Sequence, residues 1–495
     1  MTQNQPHSPD LHADWKLLTV RGLRWIFTTG VLKQLLNFGI GICLARLLDP
    51  GDFGLVGMVL VFTGFAGMFI GKEFGAAIIQ NKNLTQRHYD SIFWLNVFLG
   101  ALCTAALCFA GPAISRFYNT PDLTPITMLI SVNFFVGCLN VVQVALLDKT
   151  MNFRRLAIIE TVSIVSAGAV GIALAASGRG VWSLVWQSIT LSLLTVILTW
   201  SVSRWRPGFR FDPSAIRDVL RFSVYLLGFN AVNFFARNFD NLLIGKYLGF
   251  YPLGIYGKAY QLMMFPLAQI SWGVARVMFP SMSAIQHDRG KVKNVYLKCL
   301  RAIALITFPL MAGLFVVSGP FVSAFFGEKW APMVPVIRIF CLAGLLDSVT
   351  TTVGLIYQSQ GRTDVQFKMI LVQIVIILSA FVIGLSWGIT GVAAGYLVAA
   401  LIFLYPEWKI AGRLIDLTFG EMARNLSGTF LCAAGMAAAV WVFGMMLPYG
   451  WASWMRLAAE VFFGVGAYAA LVRIFRLKGY REAGEIVSSL YRKAS

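Results

Sequence analysis

Five cations and two carboxylates interrupt the long apolar stretches of this chain: Lys33, Arg237, Lys258, Arg276 and Arg338, with Asp240 and Asp347. An ionised side chain at bilayer depth is costly, so it usually faces a cavity or a partner. A set in which cations predominate suits an anion. Attraction is strong where the local dielectric is low, and arginine offers phosphate oxygens two parallel hydrogen bonds. The chemistry implied is non-covalent recognition of a group such as a pyrophosphate.

Plainer readings stand beside that one. Arg276 lies near the inner end of its stretch and can snorkel to the surface; Lys258 and Arg338 can do the same from about two turns below the outer surface. Arg237 and Asp240 are three residues apart on one helical face and can neutralise each other. Lys33 is about eleven residues into its stretch, roughly 16 Å along a helix, and is hard to reach from either surface. Asp347 is also mid-stretch. It can pair with a cavity cation or bind a coupling proton or sodium ion, and the residues do not rank these roles. Lys72 and Glu73 fall near the inner end of the second stretch. Arg46 and Lys246 close two outward ends, either as helix C-terminal charge compensation or as cations at an outward mouth. Asn37, Asn133, Asn230, Asn233 and Gln261 either hydrogen-bond between helices or line a polar path for sugar hydroxyls. Trp182, Trp186, Trp387, Trp451 and Trp454 fit an interfacial aromatic belt.

The elements that must position these groups are membrane spans. Hydrophobic residues make up 58% of the 495 and charged residues 13%, against about 25% charged in soluble domains. About fourteen segments have the roughly 20 apolar residues a spanning helix needs: 22–47, 53–79, 90–111, 123–147, 157–176, 180–203, 217–247, 252–280, 296–317, 332–358, 366–386, 390–411, 425–447 and 453–475. The connectors alternate in charge. Lys149–Arg154–Arg155, Arg204–Arg206–Arg210, Arg289–Lys291–Lys293–Lys298–Arg301 and Arg473–Arg476–Lys478–Arg481 are basic, while Asn119–Pro125, Ser177–Gly180, Ser386–Thr390 and Pro448–Ser453 are nearly bare. Cationic loops stay in the cytoplasm, so both ends are expected there. The net charge of +19 then reflects topology rather than nucleic-acid binding.

A repeat organises the spans. Ala45–Gly57 aligns with Gly245–Gly257 without gaps, sharing a basic residue, a leucine and two glycines in register. Gly180-Val181 aligns more weakly with Gly391-Val392. Both halves start from the cytoplasm, so the repeat is parallel, about an axis along the membrane normal. The expected organisation is an N-terminal tail (1–21), a six-helix lobe (22–205), a linker (206–215), a second six-helix lobe (216–411), two further helices (412–475) and a basic tail (476–495).

Enzymatic chemistry has little to stand on. Gly71-Lys72-Glu73 and Gly245-Lys246-Tyr247 lack the Ser/Thr of a phosphate-cradling loop, and no H-E-x-x-H occurs. The connectors are too short to house a catalytic domain. Seven cysteines show no metal or disulfide spacing. No catalytic residue, metal or cofactor is expected.

Several segments resemble a known family. Ala45-Arg46-Leu47-Leu48-x-Pro50-x-Asp52-Phe53-Gly54-Leu55-Val56, Gly75–Gln80, Phe93-Trp94-Leu95-Asn96, Phe153-Arg154-Arg155-Leu156-Ala157, and Asn241-x-x-Ile244–Gly249 with Leu253–Tyr256 resemble, in order and spacing, the Wzx-type polysaccharide flippases. The likeness is to colanic-acid-exporter-like members of the multidrug/oligosaccharidyl-lipid/polysaccharide exporter superfamily, and covers nearly the whole chain. It implies an all-α polytopic membrane protein of about fourteen helices, with two six-helix lobes in a pseudo-two-fold V and two extra helices. It implies flipping of undecaprenyl-pyrophosphate-linked oligosaccharide repeat units across the bacterial inner membrane by alternating access. By helix, Lys33, Arg237, Lys258 and Arg276 become candidate cavity positions. Implied partners are the lipid-linked oligosaccharide, membrane lipids and polysaccharide polymerase or assembly machinery. Two alternatives stay open: a cation-coupled drug or small-molecule antiporter of the same superfamily, and a membrane glycan polymerase or ligase.

Overall fold

The computed structural model describes residues 30–68, 78, 85–209, 234–235, 237–448, 450–480 and 482, without the side chains of 271, 272 and 275–277. All regular structure among them is helical. They form two compact units, divided after Asn238.

In the first unit, α1 (Gly30–Leu47) turns at Asp49 into α2 (Pro50–Gly67), whose first position is a proline with no amide to satisfy. α3 (Gln86–Tyr118) ends where Asn119 takes the left-handed conformation, φ 56°. α4 (Leu123–Cys138) and α5 (Val141–Lys149) form one interrupted rod bent by 43°. α6 (Phe153–Ala176) and α7 (Trp182–Val202) complete the unit.

The second unit repeats this order. α8, described over 237–247, crosses the division, followed by α9 (Phe250–Ala284), α10 (Arg289–Phe325), α11 (Met333–Thr350), α12 (Val353–Ser359), α13 (Thr363–Gly384) and α14 (Gly388–Gly412). The aligned turn recurs at the predicted offset: α1 ends at 47 and α2 starts at 50, while α8 ends at 247 and α9 starts at 250. Gly249, at φ 93°, makes the second turn. The weaker match is out of step by a turn, since Gly180 precedes its helix and Gly391 lies inside α14. The rod interruption also recurs, between α11 and α12. α15 (Phe419–Met446) and α16 (Ser453–Ile474) follow. Their buried Met436, Val440 and Leu457 pack with Val317 of α10.

Close helix crossings use small residues, as apolar packing in lipid requires. A Cβ on Gly100 of α3 would lie 2.6 Å from Cys138 Sγ, and one on Gly395 would lie 2.6 Å from the Ala380 carbonyl oxygen. Gly384 and Gly391 touch backbone to backbone where α13 meets α14. The outer surface is oily: Phe109 is 86% exposed and Phe462 78%. In water such a surface would drive association; against lipid it is matched to its solvent.

Ten described helices, or eleven with the bent α4–α5 rod as one span, are long and apolar enough to cross a membrane. The described residues therefore do not by themselves confirm the expected count of about fourteen. One segment, 217–247, lies mostly outside the described residues. The 35-residue α9 is not among the ten, and α13 and α14 are joined through a single turn of 3-10 helix at Leu385–Trp387 into one 50-residue apolar segment.

Candidate functional site

Lys33 lies on the face of α1 that meets α6. The two helices run in parallel and keep step along one seam. Ile40 touches Gly168, and Leu44 and Leu48 are buried with Ala175, flanked by Ile172. On α1 the seam positions are 33, 40, 44 and 48; on α6 they are 160, 168, 172 and 175. These are the three- and four-residue steps that keep side chains on one face. At 160 the sequence supplies a glutamate, and Lys33 Nζ forms an ion pair with Glu160 Oε2. The part of the seam nearer Asp49 is closed and apolar. The part holding the pair is open: the Lys33 side chain is 27% accessible and that of Glu160 44%. Asn37, one turn from Lys33, is exposed. Asn133 of α4 instead donates to Ser188 Oγ of α7 at 2.9 Å, a helix-to-helix tie.

The second unit gathers a different set. Asp240 of α8 is buried, 4% exposed. It accepts from the Tyr256 hydroxyl and the Asn241 amide, both at 2.8 Å. Arg237 is exposed, so three-residue spacing does not give Asp240 a guanidinium partner. Asp347 of α11 accepts from the Tyr396 hydroxyl of α14 at 2.8 Å. Edge-to-face ring contacts connect the two acids: Tyr256 and Tyr260 of α9 meet Phe340 of α11, Tyr260 and Phe340 meet Tyr396, and Tyr396 stacks on Phe381 of α13. Glu407 of α14 lies within electrostatic reach of Asp347. Each tyrosine spans this cluster with an apolar ring and a polar tip.

The other predicted groups are dispersed. Lys258 donates to Gln261 Oε1 at 3.3 Å, on the face of α9 opposite Tyr256 and Tyr260. Arg338 is exposed and donates through Nε to Ser318 Oγ at 3.1 Å, tying α11 to α10. Arg276 lies within α9 and its side chain is outside the described set, as are Lys72, Glu73, Asn230 and Asn233. Arg46 is exposed and Lys246 half-buried at the ends of α1 and α8. The structure therefore brings Asp240 and Asp347 into one cluster, while Lys258 and Arg338 of the same unit have the other partners named above.

Sequence reasoning passed over several carboxylates inside the expected spans, among them Glu160, Glu407 and Glu460. Glu460 is 4% exposed and accepts from Arg456 Nε at 3.0 Å. They bring the intramembrane charge closer to balance than the cation-rich expectation. Their positions on apolar helices were the available signal. One further spacing, Gly384-Leu385-Ser386-Trp387-Gly388, has the G-x-S-x-G form. Ser386 sits between two helices rather than on a strand-to-helix elbow, and its hydroxyl donates to the Ile383 carbonyl at 2.8 Å. Among the described residues no His/Cys/Asp/Glu group could hold a metal ion.

The chain matches the family model "Polysaccharide biosynthesis protein" over residues 43–335. It is 30% identical to the teichuronic acid biosynthesis protein TuaB of Bacillus subtilis over 418 residues, 83% of this chain and 86% of the relative. It is also 30% identical to the lipopolysaccharide biosynthesis protein WzxC of Escherichia coli K12 over 397 residues, 78% of this chain and 79% of that one. Among solved structures, the lipid II flippase MurJ in an inward closed conformation superposes with a TM-score of 0.70 at 14% identity, covering 92% of this chain and 99% of its own. An inward-facing multidrug resistance MATE family transporter of the MOP superfamily gives 0.59 at 15% identity, covering 78% and 94%.

Proposed function

Because the chain belongs to the polysaccharide biosynthesis protein family, we propose that it is a multi-pass flippase. It moves a polyprenyl-pyrophosphate-linked oligosaccharide repeat unit from the cytoplasmic to the outer leaflet of the plasma membrane. The observation that carries this reading is a partly accessible lysine, Lys33, within a helix long and apolar enough to span, on the open end of a seam that is otherwise apolar. Such a cation answers to a phosphate-bearing head group while the lipid tail stays in hydrocarbon. Lys258, Arg237, Arg276 and Arg338 are the other candidate contacts for the head group, and Arg46 and Lys246 the candidate cations at its exit. The work is solvent substitution: fixed charges and dipoles replace the water that the head group gives up. No bond is made or broken, so the protein is a transporter and not a catalyst.

Asp240 and Asp347, bridged by tyrosines, are the groups proposed to bind a coupling proton or sodium ion. The basic connectors support a cytoplasmic location for both chain ends. A polymerase or assembly complex that consumes the flipped unit is the proposed partner.

The test is to locate the lipid-linked repeat unit in cells deleted for the protein. It is expected to accumulate in the inner leaflet and to reach the outer leaflet when the wild-type chain is restored. Lys33→Ala is expected to leave it inside at normal protein levels. Repeat units already displayed outside in the deleted strain would refute the proposal and point to a polymerase or ligase.

A further inference from the structure

The Lys33–Glu160 pair sits at an odd place for a structural tie. A tie between α1 and α6 would be strongest where the packing is tightest, with the Ile40 side chain against Gly168. The pair lies instead about two turns further in, where packing stops and both side chains are accessible. Lys33 and Ile40 are seven residues apart on α1, and Glu160 and Gly168 eight apart on α6. The seam thus works as a closed apolar stem with a polar fork at its end.

We propose that Glu160 is a resting counter-ion for Lys33 and sets the charge threshold for entry: a pyrophosphate displaces it, whereas a singly charged phosphodiester does not. The inference rests on the flippase reading and names a selectivity residue for it. With the fork empty, an unpaired ammonium at this depth is expensive, and Glu160 removes that cost. An incoming anion must therefore hold Lys33 better than a carboxylate already in place. Lys presents three donors and a compact charge. A pyrophosphate brings several anionic oxygens and more than one charge to them. A phospholipid phosphodiester brings one charge, the same as the glutamate, and gains nothing by exchange. Specificity then comes from an installed competitor as well as from attraction. Glu160 acts through Lys33 and is a positioning residue.

The experiment uses the full chain in nanodiscs, with farnesyl pyrophosphate as probe and phosphatidylglycerol in the disc as competitor. Wild type is expected to bind the probe with little loss when neutral phosphatidylcholine is partly replaced by phosphatidylglycerol. Lys33→Ala is expected to weaken the probe. Glu160→Gln keeps the side-chain shape, and is expected to tighten it about 2- to 5-fold, the scale of removing a partly exposed ion-pair competitor. Phosphatidylglycerol should then compete. Glu160→Gln that weakens the probe as Lys33→Ala does, or leaves it unchanged, overturns the counter-ion role and leaves the flippase reading standing. The exchanged pair Lys33→Glu/Glu160→Lys gives a second arm: wild-type affinity and transport there would mean that only the pair matters, and would also overturn the role. If wild type and Lys33→Ala both fail to bind the probe, the head-group reading of Lys33 falls with it.

Discussion

Gly168→Ala is the sharpest probe of the seam. An ideal Cβ at 168 lies 2.8 Å from Ile40 Cγ1, 3.2 Å from Cγ2 and closer still to Cδ1. Ile40 is β-branched, and in a helix one χ1 rotamer dominates, so Cγ1 and Cγ2 cannot both withdraw. Either the rotamer is forced or α1 shifts away from α6. Overpacking of this kind costs about 1–3 kcal/mol. Replacing a helical glycine by alanine returns about 1 kcal/mol of propensity. The net expectation is a loss of about 1 kcal/mol, with Lys33 and Glu160 drawn apart at the open end of the seam. Unfolding by sodium dodecyl sulfate in mixed micelles, followed by tryptophan fluorescence, measures it. The cycle needs wild type, Gly168→Ala, Ile40→Ala and the double variant. Trimming Ile40 removes all three crowded atoms, so the double variant should be less destabilised than the sum of the singles by the overpacking cost itself, about 2 kcal/mol. Additivity within ~0.3 kcal/mol, or a stabilised Gly168→Ala, would refute the close approach of α1 to α6.

Two further outcomes follow from the second unit. Tyr256→Phe leaves buried Asp240 without its hydroxyl donor and is expected to cost about 1–3 kcal/mol in the same unfolding assay; an unchanged midpoint would show that Asp240 does not depend on this bond. Arg301 of α10 grips Glu482 through Nε at 3.0 Å and Nη2 at 2.6 Å, and also bonds Asn425 of α15, so it holds the chain beyond α16 in place. Arg301→Lys cannot reproduce the fork and should expose Arg473, Arg476 and Lys478 to faster tryptic cleavage; equal rates would remove the docking role.

Turns were legible because they carry local chemistry. Pro50, Asn119 and Gly249 mark chain reversals that any spanning model must respect, and the offset between the two aligned turns survives intact. Helix ends beside prolines were not. α3 continues through Pro112 to Tyr118, and α10 through Pro309 and Pro320 to Phe325, because neighbouring helices make good what a proline subtracts. The interruptions at 139–140 and 351–352 carry no proline either, and they depend on partners far along the chain. The Leu139 carbonyl accepts from Trp200 Nε1 at 2.8 Å, and Thr352 Oγ1 meets the Tyr296 hydroxyl at 3.0 Å. The site was half legible. Searching for cations found Lys33 but not its glutamate, 127 positions away by numbering (160 − 33). Asp240 and Asp347 could be flagged from depth alone, but the tyrosines that join them could not, since rings at helical spacing look like ordinary core.

The paired interruptions have a mechanical consequence. Each long rod finishes in a stub of nine or seven residues with its own run of amide-to-carbonyl bonds. Such a stub can swivel about a two-residue joint without melting a turn. Its resistance to swivelling is set by side chains from other helices: an indole in one unit, a phenol in the other. Stiffness at these joints can therefore be tuned by a single substitution that leaves the rods themselves untouched.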